Sequence, residues 1–278
     1  MKYIRMAIPA GFLFLVTAVP AAGQTTVNET RAMTMAPRPA QMPSPQDPVV
    51  VVHPGLTDEQ MGDLLMIRKQ YHEAAEMFKK LSDENPRNPV YLNKLGIALH
   101  QQEALGLALK YYEKAVKVDP QYADAQNNVG TIWYQRKKYG KAIKAYEKAI
   151  AMRSDMPVLY SNLAYAYFGD KKYEEAIAAF RQALALDPHL FEQSGSRSGS
   201  ILQDRSVEDR GKFYYLLAKS YAQAGDIEKC MHYLRKAKDE GYKNFADIKK
   251  DPAFASALKD PGMQEILAPK PVDPSQQL

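Results

Sequence analysis

The sequence predicts an all-α fold, a row of helix pairs stacked into a solenoid, and three observations carry that reading. Written in steps of 34, the chain aligns with itself: Gly62, Gly96, Gly130 and Ala164 share one column. Two further columns hold Ala74, Ala108, Ala142 and Ala176, then Phe78, Tyr112, Tyr146 and Phe180. Within a unit, apolar residues recur at helical spacing: Leu92, Leu95, Gly96 and Leu99 in "YLNKLGIAL", then Ala142, Tyr146 and Ala149 in "KAIKAYEKAI". Pro86, Pro120 and Pro188 close three of the units, with Ser154 in the remaining place. A lone helix pair cannot bury its apolar stripe, so the units must stack.

Residues 1–23 read as a signal segment. Lys2 and Arg5 precede an apolar run from Met6 to Val19, and Ala21-Ala22-Gly23 supplies small side chains for cleavage before Gln24. The run falls short of the ~20 residues a spanning helix needs. Export to a periplasm or beyond is therefore expected, with an uncleaved membrane anchor as the alternative. No cysteine follows the run, which excludes a lipoprotein anchor. Residues 24–54 are proline-rich and read as an extended tether. Its run Val49–Val52 is expected to dock on the first helices, or to add to a partner's sheet edge.

Four uninterrupted units follow, at 55–88, 89–122, 123–156 and 157–190. The fifth starts late. Its columns hold Leu217, Ala218, Tyr221, Ile227, Cys230, Leu234 and Ala237, and the unit with an extended first helix spans 206–244. Ser206 with Asp209, and Glu208 with Lys212, point to a helix start near Val207. An inserted flexible loop, 191–205, fills the gap. Phe191, Arg197, Ile201, Leu202 and Arg205 are its candidate specificity residues, although solenoid loops also tolerate insertions at little entropic cost. Asp251-Pro252 and Asp260-Pro261 predict two short helices covering the end of the stack within 245–268. The tail 269–278 is expected to be disordered.

A 34-residue helix-turn-helix with these columns resembles the tetratricopeptide repeat family, in an exported member of bacterial type. The resemblance covers all five units and implies a right-handed superhelix whose first helices line a concave groove for extended or helical peptide. By helix face, the residues implied to line it are Asn93, Asn127, Asn128, Tyr134, Asn162, Tyr165, Phe168, Tyr215 and Lys219, about half of them exposed. Amides both donate and accept, so they clamp a peptide backbone, and aromatics supply contact area at low entropy cost. Family members that grip acidic chaperone termini use a lysine, asparagine and arginine clamp. Asn93, Ile97, Asn127 and Thr131 stand where that clamp would begin, so it is absent.

No enzyme signature survives inspection. "GSRSG" places Arg197 where a nucleophile elbow needs serine, and no phosphate-binding loop is present. His53, His72, His100, His189 and His232 show no ligand spacing, and one cysteine cannot build a structural zinc site. No metal and no cofactor are expected. Cys230 has no internal disulfide partner and occupies the small-residue column, so it reads as a packed thiol. Trp133 shares its column with leucine and tyrosine, so packing is its expected role.

The formal charge of +5 is too mild and too dispersed to imply nucleic acid. Arg136, Lys137, Lys138, Lys141, Lys144 and Lys148 form a basic helix, read as a solvated outer face or as a weak contact for anionic lipid or polymer. The expected function is thus non-catalytic: an adaptor holding peptide segments of a protein partner. Alternatives are an envelope-polymer or carbohydrate module, and an accessory chaperone-like subunit of an envelope enzyme or secretion complex.

Overall fold

The computed structural model describes residues 55–191 and 207–268. The signal segment, the tether, the tail, and the loop residues Arg197, Ile201, Leu202 and Arg205 lie outside the described residues. Five helix pairs follow one another. They are α1 (Asp58–Ile67) with α2 (Tyr71–Glu84), α3 (Pro89–Gln101) with α4 (Leu105–Val118), and α5 (Ala123–Gln135) with α6 (Tyr139–Met152). Next come α7 (Pro157–Gly169) with α8 (Tyr173–Leu186), and α9 (Val207–Ala224) with α10 (Ile227–Asp239). The second helix of each pair packs on the first helix of the next, so the described residues form the predicted solenoid, with no strands among them.

The repeating columns are the seam inside each pair. A Cβ added to Gly96 would lie 2.5 Å from the Tyr112 ring; the same approach is 2.6 Å at Gly130 and Tyr146, and 2.7 Å at Gly62 and Phe78. Glycine is there because the ring occupies the space a methyl would need. All three rings are buried, as are Ala74, Ala108, Ala142 and Ala176. Cys230 continues the alanine column in the fifth unit, fully enclosed. Burial pushes its thiol up to about 12, which leaves it without the thiolate that reactivity requires.

The turn within each pair carries a second periodic feature. Lys69, Glu103, Lys137 and Lys171 all have positive φ, between 56° and 61°, and Gly225 holds the same place in the fifth unit at 84°. Two backbone bonds lock the turn: in the third unit Lys137 N–H reaches Tyr134 C=O at 2.8 Å and Lys138 N–H reaches Trp133 C=O at 2.9 Å. This is a left-handed helix stop of the type that usually takes glycine. Lys137→Gly is therefore expected to stabilise the chain by about 0.5–1 kcal/mol, after subtracting the unfolded-state freedom glycine adds. Gly225→Ala should cost about 1 kcal/mol. Paired urea titrations check both signs.

The C-terminal cap differs from the prediction in detail. Phe245–Lys249, Pro252–Phe254 and Ala257–Lys259 are 3-10 turns, and only α11 (Gly262–Leu267) is α-helical. Asp251 accepts from Ala253 N–H at 3.0 Å and Asp260 from Gly262 N–H at 2.8 Å, so each aspartate restarts the chain before a longer helix can form. Ile248, Phe254, Ala257 and Met263 bury themselves against the last pair and close the stack.

Candidate functional site

The first helices are joined to one another by polar groups placed 35 residues apart. Asn128 Nδ2 donates to Asn93 Oδ1 and Asn162 Nδ2 to Asn127 Oδ1, both at 2.9 Å. One step earlier, Lys94 Nζ donates to Glu59 Oε1 at 2.8 Å and to Asp63 Oδ2 at 2.7 Å. The offset is one more than the repeat because neighbouring first helices meet slightly out of register. Asn127 Nδ2 donates to Asn128 Oδ1 at 3.4 Å and so connects two rungs, and Asn93 Nδ2 also reaches the Tyr122 hydroxyl at 3.4 Å. The result is one ladder from α1 to α7. It begins as an ion-pair cluster, where Lys94's hydrogen bond holds the Glu59 carboxyl below its ordinary value, and continues as amide pairs.

This geometry corrects the expected exposure of the groove residues. Asn93, Asn127, Asn128 and Asn162 are all buried, and α5 is buried at every position from Ala123 to Ile132. These amides bond to each other because a buried amide without a partner is costly. Tyr134, Tyr165 and Phe168 are also buried: Tyr134 meets Tyr139 edge-on at 5.4 Å, Tyr165 stacks on Phe213 at 5.7 Å, and Phe168 meets that ring edge-on at 5.5 Å. Tyr215 stacks on Tyr242 at 4.6 Å and so belongs to the cap. Lys219 is half-buried and pairs with Asp251 at 2.9 Å. The ladder was detectable in sequence as polar residues spaced by 35, a signal hidden by reading only the 34-residue columns.

Of two other expectations, the one for Phe191 fails and the one for Trp133 holds. Phe191 is not a loop lid residue: it is buried, edge-on to Phe180 at 5.6 Å, so it extends the core past the fourth unit. Trp133 packs partly buried, with the Lys141 ammonium 4.2 Å and the Arg136 guanidinium 5.5 Å from its ring. Beside it, Lys137, Lys138, Lys141, Lys144 and Asp170 line an open recess of about 460 Å³. Asp170 is engaged by Lys172 at 2.8 Å, so the recess is predominantly cationic.

His100 is the buried titratable group between the second and third units. Its Nε2 lies 2.8 Å from Gln135 Oε1 and its Nδ1 3.5 Å from the Tyr112 hydroxyl, an arrangement suited to the neutral ring with the proton on Nε2. Burial lowers its pKa from 6.5 to about 4, against the opposing Gln135 hydrogen bond. Between those values the unfolded chain binds a proton that the folded chain refuses. Stability held above the unfolded pKa is therefore lost as pH falls toward 4, by up to about 3 kcal/mol. Urea midpoints at pH 7 and pH 5 should drop more for the wild type than for His100→Gln.

Among the described residues no group of three or more His, Cys, Asp or Glu side chains could hold a metal, and no helix is long and apolar enough to cross a membrane.

Sequence comparison adds the decisive observation: tetratricopeptide repeat models match residues 60–117, 105–157, 157–190 and 211–239. The chain belongs to the tetratricopeptide repeat family. A DnaJ homolog subfamily C member 7 homolog from Dictyostelium discoideum is 33% identical over 63 residues. That match covers 23% of this chain and only 12% of the relative's length. Among solved structures, MamA from Desulfovibrio magneticus RS-1 is 21% identical, covering 66% of this chain and 92% of its own, with a TM-score of 0.47. The tetratricopeptide repeat protein TTC0263 of Thermus thermophilus is 18% identical, covering 73% and 99%, with a TM-score of 0.46.

Proposed function

We propose that this tetratricopeptide repeat protein is a non-catalytic adaptor of a cell envelope that holds a segment of a partner protein along its first helices. The observation that carries the reading is the continuous inner row of α1, α3, α5 and α7, fixed in register by the ladder. Helices already fixed in register across four units lose little conformational freedom when an extended segment lies along their edges. The envelope assignment rests on Lys2 and Arg5 before the apolar run and Ala21-Ala22-Gly23 after it. The adaptor role is tested by passing a pool of short random peptides over the immobilised full chain. Saturable retention at one peptide per chain is the expected result. A chain that retains no peptide contradicts the reading.

The cationic recess at Lys137, Lys138, Lys141 and Lys144 favours a second reading, in which an anionic envelope polymer or lipid binds beside α6. Binding of this kind weakens steeply with salt, because it depends on exposed charge. Polyphosphate titrated at two salt concentrations separates it from the first reading, whose contacts are screened less.

A further inference from the structure

Asp124 stands alone in an otherwise unsuitable place. Its column holds Leu56, Val90 and Val158 in the first, second and fourth units, yet the third unit carries a carboxylate. Asp124 is only 3% exposed, and it makes no hydrogen bond or ion pair with any described residue. Arg153, the cation acting on it, lies beyond contact and is engaged by Asp155 at 3.5 Å. Removing a carboxylate from water without pairing it costs several kcal/mol by general experience. Its place in the first turn of α5 offsets only about 0.3–1 kcal/mol of that, through the helix dipole. Burial accordingly pushes its carboxyl above the ordinary value.

Its position gives the unpaired acid a use. Asp124 lies one helical turn before Asn127 and Asn128, on the stripe of α5 that carries the ladder. Neither of its oxygens is among the fully enclosed side-chain polar atoms that lack a hydrogen bond among the described residues. The next charged cluster along the same row is Glu59 and Asp63 sharing Lys94, with acids again in excess. An acid kept unpaired and nearly dry on this row is matched by a cation that arrives with the ligand.

We propose that Asp124 is the specificity-determining residue of this row and that it selects a partner segment carrying a lysine or arginine side chain. The inference rests on the adaptor reading above. The incoming ammonium or guanidinium replaces the missing counter-charge, and the Asn127 and Asn128 rungs fix where along the row it docks. The same residue works against a segment that presents glutamate or aspartate there, so the site discriminates by repulsion as well as attraction.

The test compares the peptides retained from one random pool by the full-length wild type, Asp124→Asn and Asp124→Val. The wild-type set is expected to be enriched in lysine and arginine at one position, and both variants should lose that enrichment. A retained basic peptide should bind Asp124→Asn roughly 10- to 100-fold more weakly, the range for losing a charged hydrogen bond. Asp124→Val should also melt at a higher temperature than the wild type, as a valine restored to a valine column would. Retained peptides without basic enrichment, or with equal enrichment in the variants, overturn the role of Asp124 and leave the adaptor reading standing. A chain retaining no peptide overturns both.

Discussion

Gly130→Ala is expected to destabilise the protein by about 2 kcal/mol, although alanine is the better helix former by about 1 kcal/mol. The new methyl would sit 2.6 Å from the Tyr146 ring, so the helix or that ring must shift. The ring is fully buried, and its hydroxyl meets Thr131 Oγ1 at 3.4 Å. The overlap must be relieved by parting α5 from α6, which loosens the seam of the central unit. Because stacked repeats depend on their neighbours, the damage should spread to both flanks of the third unit. Urea denaturation should show the loss, and amide exchange should rise first in α5 and α6. Tyr146→Leu added to Gly130→Ala removes the overlapping ring atoms and should recover part of the loss. Recovery would attribute the effect to the clash rather than to the helix itself.

Asn127→Ala is the second large effect. Its Oδ1 accepts from Asn162 and its Nδ2 donates to Asn128, so truncation strands buried groups on two sides. Each such group costs about 1–3 kcal/mol, for a total of about 2–6 kcal/mol. Asn127→Ala with Asn162→Ala removes donor and acceptor together and should cost less than the sum of the two singles. A double-mutant cycle in urea measures the difference. Simple additivity would contradict the ladder as a coupled network.

Much of the fold was legible because packing repeats in sequence when structure repeats. Gly96 against Tyr112 and Gly130 against Tyr146 are the same contact written twice, and Cys230 could be read as buried from its column alone. What the columns could not convey was the direction of polar side chains. Asn93, Asn127, Asn128 and Asn162 share a helix face with the expected groove, but their partners lie one unit away at an offset of 35. A reading by helix face therefore presents them as exposed lining. Tyr165 and Phe168 were hidden differently: their neighbour Phe213 lies across the inserted segment, far along the chain. Phe191 looked like the start of a loop because the closing proline precedes it, yet the core continues through its ring. Lys137 and its equivalents gave no sign of left-handed backbone, since lysine is not a residue that announces it. Asp124 is the converse case, visible in sequence only as an acid in an apolar column, and meaningful once its lack of partners is known.

The proposed recognition runs along the first helices. Amide hydrogen exchange of the full chain, with and without a peptide retained from the random pool, tests it most directly. Added protection is expected in α3, α5 and α7, with α4, α6 and α8 unchanged. Protection concentrated on α6 around Lys138, Lys141 and Lys144, with the first helices unchanged, would contradict it and place binding on the cationic recess.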